Sequence, residues 1–199
     1  FEKHLFDVSF IPAPICGEEA RCMEALKFEL KRGDIAALIV EPLIQGAGGM
    51  RIFSADALND LVRVAREYGS LTIFDEVFTG FGRTGKLFAS HHLEEKPDII
   101  AVSKGITGGS LPLGVTSCSE KIVTAFASPD TTKTFFHGHS YTANPIACAA
   151  ANASIELLLG ETCQRQIAQI SANHLDFCKI VRQHRNAKEA RCLGTILAV

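Results

Sequence analysis

No excess of charge of either sign runs through this sequence: 20 Lys and Arg stand against 22 Asp and Glu, a formal charge of −2. A global field that would draw the chain to nucleic acid or an anionic membrane is thereby excluded, and any anion it binds must be held locally. No apolar run approaches the ~20 residues that a spanning helix needs, and Phe1-Glu2-Lys3-His4 has none of the make-up of a secretory signal. There is no C-x-x-C pair among Cys16, Cys22, Cys118, Cys148, Cys163, Cys178 and Cys192. Their odd number, their scatter, and the apolar neighbours of several argue against a disulfide framework or zinc site and for reduced, mostly packed thiols in the cytoplasm. Internal repeats, low-complexity tracts and flexible linkers are absent too. So is an initiator Met, and the chain stops at Gly194-Thr195-Ile196-Leu197-Ala198-Val199, an apolar run that reads as a strand cut off from its partners. A fragment of a longer protein is expected.

What is present suits a globular chain with a substantial interior. Hydrophobic residues make up 47% and charged residues 21% of 199 residues, enough for one domain plus an appendage. Ala36-Ala37-Leu38-Ile39-Val40, Leu71-Thr72-Ile73-Phe74, Ile99-Ile100-Ala101-Val102 and Leu113-Gly114-Val115-Thr116 are short apolar runs of the kind that form buried strands of a parallel sheet. Helical spacing over Ser54 to Tyr68, with Ser54 as N-cap and Gly69 as stop, predicts a strand-helix-strand unit. Glu18 to Lys31 predicts a second amphipathic helix. Asn144-Pro145 is a strong helix start, the Ala-rich stretch Ala147 to Leu159 should pack closely, and a further helix runs from Glu161 to about Arg185. Residues 1–160 are assigned to one domain, and 161–199 to a connecting helix and the first strand of a small second domain.

Open α/β sheets hold ligands beyond the carboxyl ends of their strands, which singles out Asp75 and Lys104. Both side chains could project into one crevice. For Asp75 taken alone, capping of the next segment is the alternative. A lysine between Ser103 and Gly105 at a strand end would be partly desolvated, favouring its neutral, nucleophilic form; a plain surface lysine is the alternative. Gly-rich turns follow each residue, Gly80-Phe81-Gly82-Arg83-Thr84-Gly85 and Gly108-Gly109, without Walker or G-x-G-x-x-G spacing, so a nucleotide fold is not favoured. Phe135 to Thr142 runs into the helix opened by Asn144-Pro145, where hydroxyls beside free amides make an anion site. His137 and His139 lack a third ligand at suitable spacing and read as packing residues rather than a metal site.

Several ordered segments together resemble the class III, fold-type I pyridoxal-phosphate aminotransferases: Val40-Glu41-Pro42-Leu43-Ile44-Gln45-Gly46, Phe74-Asp75-Glu76-Val77, Gly80 to Gly85, Pro97-Asp98 leading to Ser103-Lys104-Gly105, and Asn144-Pro145. The likeness extends over roughly residues 10 to 199. It implies the large domain of that α/β fold in part, a mixed, mainly parallel sheet flanked by helices, with the start of a small C-terminal domain. It also implies pyridoxal 5'-phosphate as cofactor, a small-molecule amino donor and a keto acid as partners, no nucleic acid or membrane, and a homodimer with a shared active site. By resemblance Lys104 is the Schiff-base lysine and proton shuttle, and Asp75 the partner of the pyridine nitrogen, where a carboxylate keeps the ring protonated. Val77 would pack on the ring, Gln45 would lie near its hydroxyl, Ser140 would reach the phosphate across the dimer interface, and Gly138 would line the keto-acid pocket.

Ala47 follows Gln45-Gly46 where the family's ornithine and 4-aminobutyrate branches carry a glutamate, so the arginine switch of those branches is not expected here. Competing expectations are a broad amine:pyruvate or lysine-using transaminase, and a non-catalytic protein of the same fold. The family's Gly/Ser phosphate loop, ring-stacking aromatic residue and substrate-carboxylate arginine are not found among these 199 residues. The 199 residues alone are therefore expected to be catalytically weak or dead.

Overall fold

The computed structural model describes residues 6–199; Phe1-Glu2-Lys3-His4, argued above to be no secretory signal, lies outside the described residues. In chain order the elements are α1 (Glu19–Leu30), β1 (Ala37–Val40), α2 (Ala55–Glu67), β2 (Leu71–Asp75), β3 (Ile99–Val102), β4 (Val115–Cys118), α3 (Glu120–Phe126), α4 (Pro145–Leu159), α5 (Glu161–Val181), β5 (Arg191–Leu193) and β6 (Ile196–Ala198). The first four strands form one sheet in the order β1-β2-β3-β4. Parallel pairing sets Val40 beside Phe74 and Asp75 beside Ala101, while β4 runs antiparallel to β3 with Val115 opposite Val102. The sheet is mixed and mainly parallel, as expected.

Local signals explain why the elements start where they do. Ser54 caps α2 by accepting the Ala57 amide, and Gly69 beyond its end takes the left-handed conformation that glycine adopts without strain. Asn144 accepts the amides of Ile146 and Ala147 at the start of α4, with Pro145 in the first turn. Asp98 ties β3 to β2 by accepting from both the amide and the hydroxyl of Thr72. Cys22, Leu26 and Leu30 of α1, Leu58, Leu61 and Val62 of α2, and Phe74 of β2 form the core, with Leu43, Phe53 and Leu93 from the connections.

Three expectations need correcting. The strands are not all buried: α1 and α2 cover one face, so Leu38 and Val40 pack on the core whereas Ile39, pointing the other way, is 64% exposed, and β4 at the sheet's edge is exposed throughout. The Ala-rich helix is not close-packed all round, since only Ala147 and Ala151 are buried while Ile146, Leu157 and Leu159 stand exposed. The terminal apolar run does form a strand, Ile196–Ala198, but not one cut off from every partner. It is half of an antiparallel hairpin, β5 with β6, turning at Gly194, whose φ of +57° favours glycine. No single helix among the described residues is long and apolar enough to cross a membrane.

Candidate active site

Asp75 is the last residue of β2, and its Oδ1 accepts the Val77 amide at 3.0 Å, which bends the chain away from the sheet. Glu76 turns the opposite way into the interior and is 0% exposed. A buried carboxylate persists only where donors surround it. Here Oε2 accepts from the Ala89 amide at 2.6 Å and the Thr79 hydroxyl at 3.2 Å, and Oε1 from the Ser90 amide at 2.9 Å. The loop is thus wrapped around its own anion. Gly80 fits only as glycine, because a Cβ there would lie 2.9 Å from the Glu76 carbonyl oxygen. His92, on the short 3-10 turn that supplies these amides, donates from Nε2 to the Thr84 carbonyl; burial, then nearby Lys86, push its pKa below the ordinary 6.5.

Lys104 enters from the neighbouring strand. After β3 the Ser103 hydroxyl donates to the Leu113 carbonyl at 2.6 Å, and Lys104 opens a 3-10 turn over Lys104–Thr107. Its φ of +44° is left-handed, a conformation that costs a non-glycine residue on the order of 1 kcal/mol and clusters at functional sites. Packing holds it there: a Cβ on Gly105 would meet Phe81 at 2.8 Å, and Ser154 of α4 donates to the Gly105 carbonyl. Nζ stands 5.7 Å from the centroid of the Phe78 ring, within cation–π range. Lys104 is exposed, so the desolvation expected of a strand-end lysine is not found.

These elements enclose a cleft of about 340 Å³ lined by Glu41, Gly46, Ala47, Met50, Asp75, Val77, Phe78 and Lys104. Of the residues expected to form a site, Asp75, Val77 and Lys104 come together here. Gln45 sits beside the lining rather than in it. Ser140 and Gly138 lie in an exposed segment before α4 and do not line the cleft. Sequence reasoning missed Glu41, Met50 and Phe78. Glu41 was within reach, since it follows β1 directly and obeys the same strand-end rule as Asp75. Its Oε2 accepts the Gly46 amide at 2.8 Å, and Gly46 is wedged so tightly that a Cβ would come within 3.2 Å of both that oxygen and the Phe78 ring. No comparable sequence signal marked Phe78 or Met50.

Residues 2–199 match the family described as Aminotransferase class-III. The chain belongs to the class-III aminotransferase family. Among relatives, it is 45% identical to the adenosylmethionine-8-amino-7-oxononanoate aminotransferase of Synechococcus elongatus, across 100% of this chain and 48% of that protein. It is 48% identical to the enzyme of the same name from Anoxybacillus flavithermus, across 79% of this chain and 35% of that one. A thermostable (S)-enantioselective omega-transaminase from Thermomicrobium roseum superposes with a TM-score of 0.82 at 38% identity, over 90% of this chain and 40% of the other. The chain thus spans about half or less of the length of these family members.

Members of this family use pyridoxal phosphate, and the residues present fit its ring. Gln45 Oε1 is buried without any hydrogen-bond partner, a state that suits an acceptor awaiting a hydroxyl donor. Asp75 and Lys104 share one cleft whose remaining wall includes the apolar Ala47, Met50 and Val77.

Proposed function

We propose that the protein containing this chain transfers an amino group from S-adenosylmethionine to 8-amino-7-oxononanoate, giving 7,8-diaminononanoate in biotin synthesis, with pyridoxal 5'-phosphate as cofactor. The observation that carries this reading is the convergence of Asp75 and a strained Lys104 on one cleft, in a chain whose relatives bear that activity in their names. When bound, the cofactor supplies the electron sink for the carbanion left by proton loss. Asp75 would hold a proton at the ring nitrogen, Gln45 Oε1 would accept from the ring hydroxyl, and Val77 would pack against the ring. Lys104 Nζ would anchor the cofactor and would move the proton at the substrate carbon that loses or gains nitrogen. The left-handed backbone at Lys104 fixes where that amine starts. Ala47 puts a methyl group, where the ornithine and 4-aminobutyrate branches carry a glutamate, into a wall whose nearby carboxylate, Glu41, is engaged by the Gly46 amide.

Ser140 would contact the phosphate of the neighbouring subunit, and the Gly138 backbone would line the keto-acid pocket; with them go a homodimer with a shared site and a cytoplasmic location. Residues 161–199 would open the small second domain. A broad amine:pyruvate transaminase is the second reading, supported by the 38% identity to the omega-transaminase.

The test is borohydride treatment of the full-length protein with pyridoxal phosphate, followed by peptide mass mapping, together with activity measured across amino donors. A pyridoxyl label on Lys104 is expected, with activity falling at least about 100-fold in Lys104→Ala. Label elsewhere, or equal label in the variant, overturns the assignment. Turnover with simple amines but not S-adenosylmethionine selects the second reading.

A further inference from the structure

Arg191 lies far along the sequence from the cleft and was assigned no role above, yet it grips the cleft's Gly-rich wall. Its Nη2 donates to the Gly49 carbonyl at 2.9 Å and its Nε to the Met50 carbonyl at 3.2 Å, while Nη1 pairs with Glu189. The two carbonyls belong to consecutive left-handed residues, Gly49 at φ +90° and Met50 at φ +53°. Glycine adopts that conformation freely; Met50, with its Cβ crowding the backbone, does not. A planar guanidinium suits two adjacent acceptors, as a point-like ammonium does not.

The hairpin bearing Arg191 is itself fixed to the cleft's other loop. Thr195 donates from its amide and its hydroxyl to the Arg83 carbonyl, at 2.8 and 3.2 Å, and Gly194 presses so closely on the Thr84–Gly85 backbone that a Cβ would fall 2.3 Å from it. The turn being held is closed by the Met50 amide donating to the Gly46 carbonyl and by the Gln45 amide donating to the Arg51 carbonyl. Gly46, Ala47 and Met50 face the cleft directly.

We infer that Arg191 is a positioning residue for the cleft: it holds Met50 in the left-handed state and thereby keeps the Gly46–Met50 turn in the shape that receives substrate. The inference rests on the reading of this cleft as the amino-transfer site. Released from Arg191, Met50 relaxes toward an ordinary backbone conformation and carries its side chain off the wall. The effect falls on substrate affinity and not on the proton transfer at Lys104.

The test uses the full-length holoenzyme and its Arg191→Gln, Arg191→Lys, Gly49→Ala and Arg191→Gln/Met50→Gly variants. Hydrogen exchange of the 46–51 amides and the KM-against-kcat split are the readouts. Exchange is expected to rise about tenfold in Arg191→Gln, the scale set by one strained non-glycine residue. It should rise similarly in Arg191→Lys, with KM raised more than kcat is lowered. The double variant should fall back toward wild type, because glycine at position 50 needs no restraint. If Arg191→Gln does not fold, Gly49→Ala, which strains the same turn with Arg191 intact, should show the same exchange and KM signature. Unchanged exchange in Arg191→Gln and Gly49→Ala, or a double variant that exchanges as fast as Arg191→Gln, overturns the inference. Loss of wild-type transferase activity would sink the functional reading alone, since the exchange comparison needs no turnover.

Discussion

Two loops of similar composition behave in opposite ways. Residues 76–93, after β2, and residues 127–144, after α3, each mix Phe, Gly, His, Ser and Thr and contain no α-helix or strand. In the first, Glu76, Thr79, Thr84, Ala89, Ser90 and Leu93 are buried. In the second, every residue from Ala127 to Ala143 is exposed, Phe136 at 82%. What the second does bind is its own near neighbours: Phe126 meets Phe135 edge-on with centroids 5.4 Å apart, and His139 accepts the Tyr141 amide. Composition therefore does not decide whether a loop becomes scaffold. One anion at the base of the first, with donors delivered from 13 and 14 residues onward, does.

The largest way to break that contrast is to remove the anion. Glu76→Ala leaves the Ala89 and Ser90 amides and the Thr79 hydroxyl without their acceptor, at about 1–3 kcal/mol for each buried group. A loss of about 3 kcal/mol or more in denaturant unfolding is expected. Glu76→Gln keeps one acceptor oxygen but turns an amide toward a donor, and should fall between the two. A loss below about 1 kcal/mol for the alanine variant would mean that the loop is held by its packing and not by the carboxylate.

How far each region could be read in advance follows the same division. Helix caps at Ser54 and Asn144 and strand-end placement of Asp75 and Lys104 are local patterns, and each stands where it was expected. Non-local features were opaque. In Asp75-Glu76 the sequence offers two equivalent acids; which one faces the cleft depends on amides 13 and 14 residues away. The left-handed backbone of Lys104 depends on Phe81 packing over Gly105, and the hold on Met50 comes from an arginine 141 positions later. β4 begins two residues later than Leu113 and runs antiparallel because pairing with β3 places it, not its own apolar pattern.

A smaller effect sharpens the contrast inside the scaffolded loop. His92 is half-buried on the Thr84 carbonyl, and burial lowers its pKa from 6.5. The folded state thus binds the proton more weakly than the unfolded chain does. The stability from keeping His92 neutral is fully present above pH 6.5 and is lost as pH falls through the lowered folded value. His92→Gln retains a donor for the Thr84 carbonyl but cannot titrate. Wild type should therefore lose stability relative to this variant on acidification from pH 7.5 to about 5, by less than Glu76→Ala costs. A stability difference that stays flat across that range would show that burial does not act on this imidazole.

The smallest expected change in stability lies in the exposed loop. Ser140 is exposed, so Ser140→Ala should move the unfolding free energy by no more than about 0.5 kcal/mol, within the range of surface substitutions. Under the proposed function the same hydroxyl would serve a phosphate held by a neighbouring subunit. Cofactor retention through gel filtration should then fall in Ser140→Ala even though stability does not. That split separates a loop built for its own chain from one whose partners lie elsewhere: Glu76 variants lose stability first, whereas Ser140→Ala loses ligand alone. If Ser140→Ala retains cofactor as wild type does, the phosphate contact is wrong, and the exposure of residues 127–143 owes nothing to that contact.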